Sequence, residues 1–148
     1  MRQAVTFLAT GAYVGYVPVA PGTFGSALAL PLLLGLDRLA LPTAAVLALV
    51  AAVVVLATVV CQHAGRQYAE VDSSHIVLDE VCGMLVAGAL LPPTAVSLAL
   101  AFVLFRALDI VKPFPAGHLD RRMKNGFGVV ADDVVAGLYT NVLVRVLT

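Results

Sequence analysis

From Leu39 to Cys61 the chain carries no charged side chain, and this stretch constrains the fold more than any other. A helix of that length crosses the ~30 Å hydrocarbon layer of a bilayer. In lipid its backbone N–H and C=O groups must be satisfied within the segment itself, which a helix does. Pro42 suits the first turn, where a missing N–H costs nothing. Hydrophobic residues make up 61% of the chain and charged residues only 12%, against the ~25% charged of ordinary soluble domains. The mean hydropathy is +0.99. The expectation is an integral membrane protein. The competing reading is a soluble helical bundle with a large core or an oligomeric interface.

The 148 residues suffice for a single domain spanning 1–148. Residues 1–20 read as a short helix and then a loop holding Gly11, Gly15, Pro18 and Pro21. No long apolar h-region follows Arg2, so no cleaved signal peptide is expected. Pro21-Gly22-Thr23-Phe24-Gly25-Ser26 reads as a tight turn opening a helix that ends near Asp37-Arg38, with Thr23 or Ser26 as its cap. Residues 62–74 are polar. From Val81 to Phe105 the chain is again uncharged, but Pro92-Pro93 interrupts it. Consecutive prolines are poor helix interior, so a hairpin is expected, with one helix to about Leu91 and another from about Thr94 to Ile110. A polar loop over 111–128 precedes a last apolar helix from about Val129, with Asp132-Asp133 in its first turn.

Hairpins that leave one face and return to it place the Pro-Gly-Thr turn, Asp79-Glu80, Asp109 and Asp132-Asp133 at a common end. Arg66, Arg106, Lys112, Arg121, Arg122 and Lys124 join them. Asp37, Arg38 and Arg145 fall opposite. The excess of Lys and Arg makes the shared face cytoplasmic. Several arms are shorter than the ~20 residues of a full span, so the number of crossings stays open. The fold expected is all-α, a membrane-embedded bundle of apolar hairpins.

Of nine acidic residues, five lie in three groups: Asp79-Glu80, Asp109 beside Lys112, and Asp132-Asp133. Carboxylates at the edges of apolar segments are costly unless they bind a cation or a partner. Each pair alone is explained by the positive end of a helix dipole. Two pairs and a third acid on a returning helix point further, to a hard-cation site. Mg²⁺ binds through a few carboxylates, water and substrate phosphate. Neighbouring positions on a helix diverge by about 100°, so one member of each pair should face the metal, leaving the other for a second ion, a water or a base. Asp109 and Lys112 share a helical face, giving either an ion pair or a metal ligand beside a phosphate-binding cation. Arg106 is a second candidate for phosphate or snorkels to the surface.

The turn at 21–26 could present N–H groups, Thr23 and Ser26 to an anion, and Asn125-Gly126-Phe127-Gly128 has the same dual reading as a turn. His63, His75 and His118 show no metal spacing and read as structural, and Asp72 is ambiguous. Cys61 and Cys82 sit in apolar runs and read as packing residues. Net charge is zero, with no basic arm for nucleic acid.

Four blocks together resemble the phosphatidylglycerophosphatase A family: GYVPVAPGTFGS (15–26), IVLDEVCGM (76–84), FRALDIVKPFP (105–115) and GFGVVADDVVAG (126–137). The resemblance implies an all-helical enzyme of the bacterial inner membrane. It also implies Mg²⁺-dependent removal of the terminal phosphate of phosphatidylglycerophosphate, giving phosphatidylglycerol. Carried over, the acids are Asp79, Glu80, Asp109, Asp132 and Asp133, with Lys112 as the cation. Two residues depart from the pattern: Asn125 stands where the family often has glycine, and His75 precedes the Asp-Glu block.

On this reading Asp79, Asp109 and Asp132 or Asp133 hold the metal, Glu80 orients or deprotonates the attacking water, and Lys112 and Arg106 hold phosphate, with Thr23 and Ser26 as further substrate contacts. Direct attack by water is preferred over a covalent nucleophile. The partners expected are the lipid substrate and the membrane, with self-association left open. The rivals are a phosphatase for another lipid or soluble phosphomonoester, and a small transport or structural subunit, whose acids should lie at mid-membrane.

Overall fold

The computed structural model describes residues 2–70, 73–114, 123 and 125–148, and all its regular elements are helical. They are α1 (Arg2–Ala9), a 3-10 turn at Val14–Tyr16, α2 (Pro21–Arg38), α3 (Thr43–Tyr68), α4 (Leu78–Gly88), α5 (Ala95–Val111) and α6 (Gly126–Leu147). Asp72, His118, Asp120, Arg121, Arg122 and Lys124 lie outside the described residues.

α4 is the hub. Its residues Asp79 and Val81 through Gly88 are buried, and it packs against α2, α3, α5 and α6. A helix that is apolar all round belongs inside a bundle, and α4 has no polar side chain beyond Asp79 and Glu80 of its first turn except the Cys82 thiol. Its 11 residues rise only about 16 Å, too short to cross a bilayer. Among the described residues, α3 and α6 are the two helices long and apolar enough to do so.

The hairpin topology places the acids as expected. At one end of the bundle Gly22 packs against Glu80 and Arg106, and Gly126 packs against Gln62. Asp37 lies at the other, in a cavity shared with Leu90 and Pro93, and Arg145 donates to the Leu90 carbonyl there at 3.0 Å.

Four local expectations are corrected. α3 does not stop at Cys61 but runs on to Tyr68; residues 62–68 contain no proline, and Ala69 ends the helix in the left-handed region, φ 55°. α4 ends at Gly88, before Leu91. Thr23 and Ser26 do not cap α2, which begins at Pro21 after Ala20 with no side-chain cap; Ser26 Oγ instead donates back to the Gly22 carbonyl at 2.9 Å. α6 starts at Gly126, where the Asn125 side chain accepts from Gly128 N at 2.9 Å. Asp132-Asp133 therefore falls in the second turn, and the helix-dipole explanation for that pair fails.

Candidate active site

α4 and α6 run side by side in the same direction, and what sets their separation is glycine. A Cβ on Gly137 would lie 2.3 Å from the Gly83 carbonyl oxygen, and one on Gly83 would lie 2.7 Å from the Asp133 carbonyl oxygen. One turn nearer the helix starts sit Asp79 on α4 and Asp133 on α6. The close crossing brings their carboxylates together. Asp79, Glu80 and Asp133 each offer an oxygen, and these three oxygens lie within 4.8 Å of one another.

The same residues line a cavity of about 250 Å³ together with Asp109, Lys112, Asp132, Ile110 and Val129. All five acids singled out in the sequence thus reach one space, with Lys112. The Asp132-Asp133 pair divides as helical geometry requires. Asp133 faces the α4 acids, while Asp132 Oδ2 accepts from Lys112 Nζ at 2.5 Å. Lys112 does not pair with Asp109 as an i,i+3 neighbour. Asp109 Oδ2 instead accepts from Arg106 Nη1 at 2.7 Å. On α4 both members of the pair, Asp79 and Glu80, reach the cavity.

Thr23, Ser26 and Arg106 are not on the lining formed by the described residues. Ser26 is fully buried and lies 3.4 Å from Arg106 Nη1. Gly22 is pressed against the acids from behind: a Cβ there would meet Glu80 Oε1 at 2.1 Å. His75 is structural as expected, its Nδ1 3.2 Å from the Gly15 carbonyl and its ring between Tyr16 and Tyr68. Cys61 and Cys82 are buried free thiols, and burial pushes the Cys82 thiol up to about 12, so it stays protonated and inert.

The electrostatics favour a cation. Five carboxylates face the charges of Lys112 and Arg106. Burial raises the Glu80 carboxyl above its ordinary range; the Asp109 charge adds to this, against a hydrogen bond with Asp79 and the Arg106 charge, which pull it down. Glu80 Oε2 is buried and makes no hydrogen bond among the described residues. A carboxylate oxygen left so is costly in a protein interior, and a hard divalent ion satisfies it with the ligand type it prefers. The donor set fits such an ion.

Sequence reasoning missed the glycines that build this site. The signal was present, since Asp79 and Asp133 are each followed four residues later by glycine, Gly83 and Gly137, on the same helical face.

Fold and site define an all-helical protein with, among the described residues, two apolar helices of membrane-spanning length and a cavity lined by five carboxylates at one end. The family model of phosphatidylglycerophosphatase A matches residues 7–148, and the chain belongs to that family. It is 34% identical over 146 residues to a phosphatidylglycerophosphatase A of Haemophilus influenzae, covering 97% of this chain and 88% of that protein. It is 33% identical over 132 residues to one of Escherichia coli, covering 88% and 76%. It is 37% identical over 150 residues to a Bacteroides thetaiotaomicron protein provisionally named a phosphatidylinositol-3-phosphatase, covering 94% and 90%. No solved structure matches the chain.

Proposed function

We propose that the chain is a lipid phosphatase that hydrolyses phosphatidylglycerophosphate to phosphatidylglycerol and inorganic phosphate, using Mg²⁺, at the cytoplasmic side of the bacterial inner membrane. The observation that carries the reading is the convergence of Asp79, Glu80 and Asp133 oxygens within 4.8 Å, inside a cavity that also holds Asp109 and Lys112. The names of the Haemophilus and Escherichia relatives support the substrate.

Asp79, Glu80 and Asp133 would hold the ion. Bound there, Mg²⁺ supplies neutralisation of phosphate charge and activation of water. The chain's own groups do the rest. Lys112, 31% exposed and held by buried Asp132, offers an ammonium to a phosphate oxygen in the cavity. Asp109 lines the cavity outside the group of three and has one oxygen tied to Arg106; it is the carboxylate left to accept a proton from attacking water. Arg106, anchored by Asp109 and near Ser26, keeps that carboxylate in place. In this arrangement Glu80 serves as a ligand in place of a base.

A second reading has a specific basis: the Bacteroides relative is named for a phosphoinositide. Phosphate release by the purified protein in detergent from phosphatidylglycerophosphate and from phosphatidylinositol 3-phosphate, with and without chelator, tests both. Preferential release from the first, abolished by chelator and restored by Mg²⁺, is the expected result. Preference for the inositide would replace the substrate; release unaffected by chelator would overturn the metal assignment.

A further inference from the structure

The acid cavity has one wall that does not belong in a site for a soluble anion. Of its apolar lining residues, Val129 is 7% exposed and simply closes the inner wall, whereas Ile110 is 73% exposed while still lining the cavity. Ile110 therefore forms the lip, facing the carboxylates on one side and the surroundings of the bundle on the other. Val111, at 73%, continues the exposed apolar surface at this edge. Exposed apolar area beside several carboxylates has no use for a fully hydrated substrate, and in water it is unfavourable.

The surface also leads somewhere. Val96, Val103 and Ile110 are all exposed on α5, at intervals of seven residues. That spacing puts them on one stripe of the helix, about 21 Å from end to end at 1.5 Å per residue. The stripe starts at the cavity lip and descends the outer face of the bundle for more than the ~15 Å depth of one lipid leaflet. The cavity, at about 250 Å³, falls below the ~300–1,000 Å³ of pockets that enclose a drug-sized ligand. A diacyl lipid cannot fit inside it. Only the phosphate and a few neighbouring atoms can, and the remainder must lie against whatever borders the mouth.

We propose, on the basis of the phosphatase reading above, that Ile110 and the α5 stripe below it hold the glycerol backbone and an acyl chain of the substrate, so that Ile110 selects membrane-embedded phosphomonoesters over water-soluble ones. The substrate phosphate enters sideways from the leaflet, past Ile110, with its chain remaining on Val103 and Val96. Ile110 is a specificity residue and takes no part in the chemistry.

The test compares I110N and I110L with wild type on two substrates, phosphatidylglycerophosphate in detergent micelles and its deacylated, water-soluble head-group ester. I110N should raise KM for the lipid roughly tenfold, the effect of losing part of one buried aliphatic side chain, with kcat little changed. Its loss of kcat/KM on the deacylated ester should be several-fold smaller than its loss on the lipid, since that ester has no chain to lose. I110L should behave as wild type on both. Retention of uncleaved lipid in chelator, read by native mass spectrometry, should fall in I110N and recover in I110L; this readout decides if the soluble ester is not turned over. An unchanged lipid KM with unchanged retention, or equal losses on both substrates, would overturn the proposal. Wild-type protein releasing phosphate from neither substrate would sink the phosphatase reading, and this inference with it.

Discussion

Gly83 and Gly137 touch backbone to backbone, so closely that a Cβ on Gly137 would lie 2.3 Å from the Gly83 carbonyl oxygen. The contact sits one turn from Asp79 and Asp133, and it fixes how near those carboxylates come. G137A should force α4 and α6 apart. Overpacking of this kind costs about 1–3 kcal/mol, and a displacement near 1 Å at a reacting site can cost about 100-fold in rate. The variant is expected to fold, to melt several degrees lower, and to lose most phosphate release. Thermal denaturation paired with a phosphate assay checks this. Full activity in G137A would mean that the helix crossing does not set the site.

Removing a buried carboxylate from the group of three should separate activity from stability. D133N keeps the shape and deletes one charge. Phosphate release should drop at least about 100-fold, as when an electrostatic group at a reacting centre is lost. In chelator the same variant should melt higher than wild type, because a buried charge without a counter-ion is costly. With Mg²⁺ present the order should reverse, since a ligand that binds only the folded state stabilises it. Melting curves with chelator and with Mg²⁺ read both effects. A variant less stable than wild type under both conditions would argue for a structural role.

The acids were legible because the chain has so few. In a sequence this apolar, each carboxylate at a segment edge stands out, and the breaks at Pro92-Pro93 fold the segments back so that the acids share an end. Pairing inside the site was not legible. Spacing suggests that Asp109 and Lys112 meet as i,i+3 neighbours, but Lys112 lies past the end of α5 with φ 48°, off the helical face, and its ammonium reaches across to Asp132. Arg106, still inside the helix, takes Asp109. The start of α6 was misjudged for a related reason. Gly126 and Gly128 resemble turn residues, yet Asn125 caps them into a helix, which moves Asp132-Asp133 down by a turn. Both errors come from contacts between elements, or at their ends, that composition and periodicity do not encode.

The Lys112–Asp132 bridge joins the end of α5 to α6. K112M leaves the buried Asp132 carboxylate without this cation. Breaking a fully buried pair costs about 3–5 kcal/mol; since Lys112 is 31% exposed, solvent screening reduces the expected loss to about 1–2 kcal/mol. D132N combined with K112M should recover part of that stability, giving a non-zero coupling in a double-mutant cycle. Activity should not recover, because the phosphate-facing ammonium is still missing. Additive stability losses would show that the bridge carries no net coupling.

Asn125 provides a test in which stability alone should move. Its side chain accepts from Gly128 N at 2.9 Å and begins the helix that carries Asp132 and Asp133. Replacing an N-cap asparagine by alanine costs about 1 kcal/mol, and by glycine only a few tenths. N125A should therefore lower Tm by about 2–4 °C for a chain of this size, N125D should match wild type, and N125G should fall between. Glycine works here by leaving the helix N-terminus open to solvent, not through left-handed backbone: Asn125 is extended, with φ −150° and ψ 172°. The glycine that the family resemblance leads one to expect at this position and the asparagine of this chain would then be two ways of starting the same helix. Phosphate release well below each variant's Tm should be unchanged across the series, because the cap does not line the cavity. Loss of activity in N125G at low temperature would show instead that the asparagine amide reaches the substrate.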